Sequence, residues 1–181
     1  TTIKLQGDKI IIATGAVPRE LEGCPTDGRR VLNSRDFMFK LNQLPESVLC
    51  VGGGAIGVEL GFLMHQFGSR VCIVEQGARL LEQPQISERA SNLLERKFRR
   101  IGIEVKKSTT VSASRFVSEG VEVTFSDGKR ETYHKVLVAV GRRPASALLA
   151  PAWSPRHRRL QARRWRKRTS PSTAARCSCS Q

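Results

Sequence analysis

The sequence predicts an α/β fold: a βαβ unit on a parallel sheet, then an antiparallel β-meander, then an irregular basic tail. Three observations predict it. Two continuous apolar runs, Ser47–Val51 and Val71–Val74, flank a helix-like stretch over about 30 residues, the length of a βαβ unit. Three segments between Val111 and Tyr133 alternate apolar and polar residues and are parted by the turn pairs Glu119-Gly120 and Asp127-Gly128. The charge breaks in two: residues 1–144 carry 22 Lys+Arg against 16 Asp+Glu, whereas 145–181 carry nine Lys+Arg and no acid.

Each element follows from its residues. Asp8–Gly15 (DKIIIATG) is a β-branched run ending in small residues, expected as a strand buried on both faces. Between Ala16 and Pro45 the punctuators Pro18, Gly23, Pro25 and Gly28 mark a connection, with a helical turn near Ser34–Leu44. Ser47–Val51 is the next buried strand, and Gly52-Gly53-Gly54-Ala55-Ile56-Gly57 follows it without a spacer. The helix through Val58–Phe67 stops at Gly68, and Val71–Val74 ends on Glu75. Ser87 is positioned to cap a second helix, whose apolar positions Ala90, Leu93, Leu94, Phe98 and Ile101 oppose a charged face that includes Glu95. Gly102 closes it and Ile103–Val105 opens another strand. Val136–Val140 is the last buried strand, and Gly141-Arg142-Arg143-Pro144 turns out of it. The expected division is 1–45 for the end of one domain and a connection, 46–144 for a second domain, and 145–181 for the tail.

Composition excludes several classes. The chain has 181 residues and a formal net charge of +15, and no run reaches the ~18 apolar residues of a membrane span. Five cysteines without a dense repeating spacing argue against a disulfide scaffold and fit a reducing, cytoplasmic compartment.

The chemistry sits in GGGAIG. A glycine motif alone is weak, but here a strand precedes it, a helix follows, and Glu75 ends the next strand, 23 residues after Gly52. Gly52 permits the tight turn, Gly54 lets a pyrophosphate approach the backbone, and Gly57 allows close helix packing. The helix start offers unpaired N–H groups to phosphate. Glu75 is placed to accept hydrogen bonds from the adenine-ribose diol, which favours NAD over NADP.

Residues 52–75 (GGGAIGVELGFLMHQFGSRVCIVE) resemble the NAD-binding core of the pyridine nucleotide–disulfide oxidoreductases, a Rossmann-like FAD/NAD(P)-binding fold. Residues 10–23 (IIIATGAVPRELEG) resemble the end of the family's flavin domain, and 136–144 (VLVAVGRRP) the strand that returns toward the flavin. Val-Glu-Leu-Gly with the nearby His65 and Gly68-Ser69 is most similar to the dihydrolipoamide dehydrogenases, with mercuric or glutathione reductase-like parents as alternatives. The resemblance covers about 10–144 and is expected to stop there. It implies that Gly52, Gly53, Gly54, Ala55, Ile56 and Gly57 hold the pyrophosphate and Glu75 the adenine ribose. Glu59 would face the nicotinamide end, with a helix-start acid favoured by the dipole as the plain alternative. Val111 would lie beside the adenine and Gly141 beside the nicotinamide, and Thr14, Gly15 and Ala16 would touch FAD.

The same resemblance implies missing parts. The family uses a Cys-x4-Cys pair beside the flavin, and no two of Cys24, Cys50, Cys72, Cys177 and Cys179 have that spacing. Cys50 and Cys72 read as inert core residues. The family's N-terminal GxGxxG and later Gly-Asp contact for FAD have no counterpart, nor does the interface domain that brings a His–Glu base from the partner subunit, so the FAD site is incomplete and the family's homodimer is doubtful here. The expectation is the NAD-binding portion of such an enzyme, without turnover by itself. A stand-alone NADH-binding module is the alternative.

The tail admits three readings. Arg163-Arg164-Trp165-Arg166-Lys167-Arg168 suits nucleic acid or an anionic membrane, or a solvated face. Its Arg/Ala/Ser/Pro composition fits best the out-of-frame reading of a GC-rich gene from near residue 145. Nucleic-acid binding then ranks behind, and Cys177-Ser178-Cys179 is a chance pairing rather than a metal or redox site.

Overall fold

A computed structural model describes residue 11 and residues 13–145. The Asp8–Gly15 strand and the tail therefore fall largely outside the described residues. The contacts group residues 16–143 as one compact unit. Two short strands, β1 (Ala16–Pro18) and β10 (Arg142–Pro144), pair with each other.

The centre of the unit is a five-stranded sheet in which every pairing is parallel. It contains β2 (Val31–Asn33), β3 (Ser47–Val51), β4 (Arg70–Val74), β5 (Glu104–Lys106) and β9 (Lys135–Val138), in the order β2-β9-β3-β4-β5. All five residues of β3 are buried, as a strand covered on both faces must be. The stretch before Pro45, expected as a connection with a helical turn, holds that turn as α1 (Ser34–Lys40) and also gives the sheet a strand that was not expected, β2, registered Val31 to Val136. Three residues between Arg30 and Ser34 carry too little periodicity to mark a strand, so only pairing with β9 reveals it.

The helices α1, α2 (Ala55–Gln66) and α3 (Glu88–Ile101) cover one face, around Val48, Cys50, Ile73, Leu137, Phe37 and Phe98. The meander of β6 (Val111–Val117), β7 (Gly120–Phe125) and β8 (Arg130–Tyr133) covers the other, around Leu49, Cys72, Val138, Val123, Phe125 and Tyr133.

Local chemistry sets the helix ends. Asn33 and Ser87 accept from the Asp36 and Ala90 N–H groups as N-caps. α2 ends with Gly68 N–H on His65 O and Ser69 N–H on Met64 O, the two bonds of a Schellman motif, and Gly68 takes φ 105°. α3 ends the same way through Gly102 and Ile103. Its buried stripe differs from the expected one. Ser91, Glu95 and Phe98 are buried, while Ala90 is exposed and Leu93 is 53% exposed. Polar capture explains the difference: Ser91 Oγ donates to Leu80 O at 2.7 Å, and the Glu95 carboxylate accepts from Leu80 N–H and pairs with Lys107. Among the described residues no helix is long and apolar enough to cross a membrane.

Candidate functional site

A cavity of about 640 Å³ opens beyond the carboxyl ends of β3, β4 and β9, where open α/β sheets bind ligands. Gly52 and the α2 start at Gly54, Ala55 and Ile56 form one wall. Glu75 at the end of β4 and Thr109, Thr110 and Val111 at the entry to β6 form another. Val140 and Gly141 beyond β9, with Arg19 and Leu21, close it.

The glycine turn is pinned at three points and open at one. Gly52 takes φ 110°, donates to Val74 O at 2.8 Å, and has Ala139 O where a Cβ would lie 2.5 Å away. Gly53 donates to Glu75 Oε2 at 2.6 Å and accepts from Leu81 N–H at 2.8 Å. A Cβ on Gly57 would overlap the Gly52 carbonyl oxygen, so this glycine packs the helix against the turn itself. The glycine that lets the helix approach the sheet is Gly61, with Cys50 Sγ 3.2 Å from its Cβ position. Gly54, the α2 N-cap, has nothing within 4 Å of a Cβ position and no side chain capping the helix. The first turn of α2 holds no acid. Its N–H groups and partial positive charge therefore face open space suited to an anion. This cradle fits a dinucleotide pyrophosphate.

Glu75 ties the site together. Its Oε2 accepts from Gly53 N–H and its Oε1 from Gly77 N–H at 2.7 Å. Each oxygen keeps a second lone pair, so these bonds leave room for a ribose hydroxyl. Its carbonyl accepts from Thr109 N–H at 3.0 Å, which brings Thr109 and Thr110 to the cavity.

Of the residues singled out in the sequence, the cavity gathers Gly52, Gly54, Ala55, Ile56, Glu75, Val111 and Gly141. Gly53 and Gly57 are buried behind the wall and hold its shape. Glu59 is exposed on α2, outside both the cavity lining and the helix's first turn, which removes the helix-start dipole reading. Thr14 and Gly15 are exposed, Ala16 is half-buried in β1, and none of the three lines this cavity.

Sequence reasoning missed Arg19, Gln76, Gln83, Thr109 and Thr110, which all line the cavity. They come from loops, where no periodicity marks them. The turn chemistry around positive-φ Leu81 and Ser108 is set by hydrogen bonds to distant residues. Cys24, Cys50 and Cys72 are free and buried. Burial pushes all three thiols up, Cys72 to about 12 despite the nearby Tyr133 hydroxyl, so none supplies a thiolate.

Comparison with known proteins agrees with this geometry. Residues 1–164 match the family described as pyridine nucleotide-disulphide oxidoreductase, a match that runs past residue 144, where the resemblance was expected to stop. A dihydrolipoyl dehydrogenase of Bacillus subtilis is 38% identical over 140 residues, covering 74% of this chain and 29% of that protein. One from Chlorobaculum parvum is 37% identical over 143 residues, covering 76% and 29%. The crystal structure of LpdA from Mycobacterium tuberculosis superposes with a TM-score of 0.69 at 29% identity, over 76% of this chain and 29% of that one. The chain thus spans about 30% of the length of the curated relatives it matches.

Proposed function

Because the chain belongs to the pyridine nucleotide-disulphide oxidoreductase family, we propose that residues 16–143 are the NAD-binding part of an FAD-dependent dihydrolipoyl dehydrogenase-like enzyme. The observation that carries the reading is the open backbone at Gly54 beside the uncapped start of α2, in one cavity with Glu75. Bound NAD would supply the hydride acceptor. This chain's residues would bind and orient it: Gly54, Ala55 and Ile56 the pyrophosphate, Glu75 the adenine ribose, Val111 the adenine, and Gly141 the nicotinamide side. FAD would be the second cofactor, with Thr14, Gly15 and Ala16 on its side. A dithiol is the substrate class the curated relatives' name suggests.

The chain alone would bind NADH without oxidising a dithiol. The three described cysteines are buried and protonated, and no two of the five in the sequence have the Cys-x4-Cys spacing. The reading extends to NAD over NADP. Glu75 lines the cavity as an acid and would stand at the adenine ribose. Arg79, a cation in the loop that follows, donates to Ile86 O at 3.2 Å and does not line the cavity.

Calorimetric titration of the full chain with NADH and NADPH tests this. NADH is expected to bind more tightly. Glu75→Gln should cost NADH roughly tenfold and narrow the gap to NADPH, because the repulsion of a 2′-phosphate disappears with the charge. No NADH binding, or no difference between the two nucleotides in the wild type, overturns the reading.

A further inference from the structure

We propose that Arg19 holds the phosphate on the nicotinamide side of the bound dinucleotide, from the Gly141 wall of the cavity. The proposal rests on the nucleotide reading above and adds a residue to it. Arg19 follows β1, and its backbone N–H donates to Gly141 O at 3.0 Å. Its Cδ lies 3.8 Å from the Cβ position of Gly141, and it lines the same cavity as Gly52, Gly54 and Ala55. This backbone bond anchors the base of a long, exposed side chain at the cavity wall.

Two other charged residues, Glu20 and Arg142, line the same cavity, and each is held there by a hydrogen bond. The Glu20 carboxylate accepts from Thr26 N–H and Thr26 Oγ1, at 3.1 and 2.9 Å. Arg142 donates to Ala16 O at 2.5 Å. Arg19 forms no ion pair with a described residue. A pyrophosphate lying on the α2 start meets only the helix's fractional charge there. A guanidinium on the facing wall completes its neutralisation with a planar pair of donors. The Gly141 side is the nicotinamide side in the proposed orientation, so the nearer phosphate is the one Arg19 takes.

The test titrates the full chain with ADP-ribose, which carries both phosphates, and with AMP, which carries only the adenosine-side one. Arg19→Gln should weaken ADP-ribose about tenfold, leave AMP within twofold, and flatten the salt dependence of ADP-ribose binding. Arg19→Lys should recover part of the affinity, and thermal denaturation of the variants should match the wild type. An unchanged ADP-ribose affinity, or an equal loss for AMP, overturns the assignment of Arg19 while leaving the nucleotide site standing. A wild-type chain that binds neither NADH nor ADP-ribose overturns the nucleotide reading, and Arg19 with it.

Discussion

The two faces of the parallel sheet are covered by different physical means. On the helix face, α2 seats by shape: Gly57 lies against the Gly52 carbonyl, and Gly61 lies over the Cys50, Ile73 and Val71 side chains. On the meander face, side chains of β4, β5 and β8 make a partly exposed polar network beside the apolar layer. The Tyr133 hydroxyl donates to Glu131 at 2.5 Å, and Lys106 reaches Glu131 at 2.7 Å and Glu104 at 2.8 Å. Arg70 and Lys106 stand over the Tyr133 and Phe125 rings. A contact made by shape fails when an atom is added. One made by hydrogen bonds fails when a partner is removed or changes its proton.

The largest break in this comparison comes from two glycines three residues apart. Gly57→Ala puts a methyl into the Gly52 carbonyl, backbone that cannot rotate away. The expected cost is about 3 kcal/mol, the upper end of overpacking, and nucleotide binding is lost because the turn must shift. Gly54→Ala meets nothing within 4 Å, and φ −74° suits alanine. The lost N-cap preference and the reduced entropy of the unfolded chain roughly cancel, to within about 1 kcal/mol. The methyl nevertheless occupies the approach to the backbone, so NADH affinity should fall at least tenfold with the protein still folded. Urea denaturation and calorimetric titration of both variants separate the two effects. Equal destabilisation would mean that the turn is fastened elsewhere.

That asymmetry also explains what could be read beforehand. GGGAIG, the strand before it and the acid after it sit within Ser47–Glu75, so one window of sequence contained the turn, α2 and the Glu75 wall. The meander was legible too, because Gly120 and Gly128 mark its turns and both take positive φ. The polar network was not. Cys72, Lys106, Glu131 and Tyr133 lie on strands separated by long connections, and nothing in their spacing says that they meet. The same holds for β2, whose partner β9 is about a hundred residues away, and for Glu95, which reads as a surface charge until Lys107 and Leu80 are seen to bind it. Contacts within one supersecondary unit leave a pattern, while contacts closed by the tertiary fold leave none.

A sharper comparison uses two cysteines on adjacent strands that face opposite ways. Cys50 packs into the helix-face core beside Gly61, and Cys72 lies in the meander-face core next to the Tyr133 hydroxyl. Serine in place of Cys50 buries a hydroxyl among Ile73, Val71 and the helix, at a cost of about 2 kcal/mol. Serine in place of Cys72 gains a polar neighbour and should cost about half as much. Equal costs in urea denaturation would show that the two faces do not differ in their tolerance of polar groups.

The smallest effect is the most specific to the meander face. Burial pushes Glu131 up, but the hydrogen bonds from Lys106 and Tyr133 outweigh it and hold the carboxyl below its usual range. A carboxylate depressed in the folded state contributes stability that is present above its unfolded value of about 4.3 and fades as pH falls through the folded value. Tyr133→Phe removes one donor and leaves the desolvation, so Glu131 titrates higher and that contribution shrinks. The variant should lose about 1 kcal/mol at pH 7, and the gap to wild type should narrow as pH falls through the depressed folded value of Glu131, below which the carboxyl is protonated in both proteins. Gly61→Ala, on the opposite face, serves as the control. Its added methyl meets Cys50, Ile73 and Val71 side chains at 3.2–3.4 Å, so its cost is steric and should not vary with pH. If the Tyr133→Phe deficit is as flat with pH as that of Gly61→Ala, the hydroxyl acts by packing, and the meander face is held by shape as the helix face is.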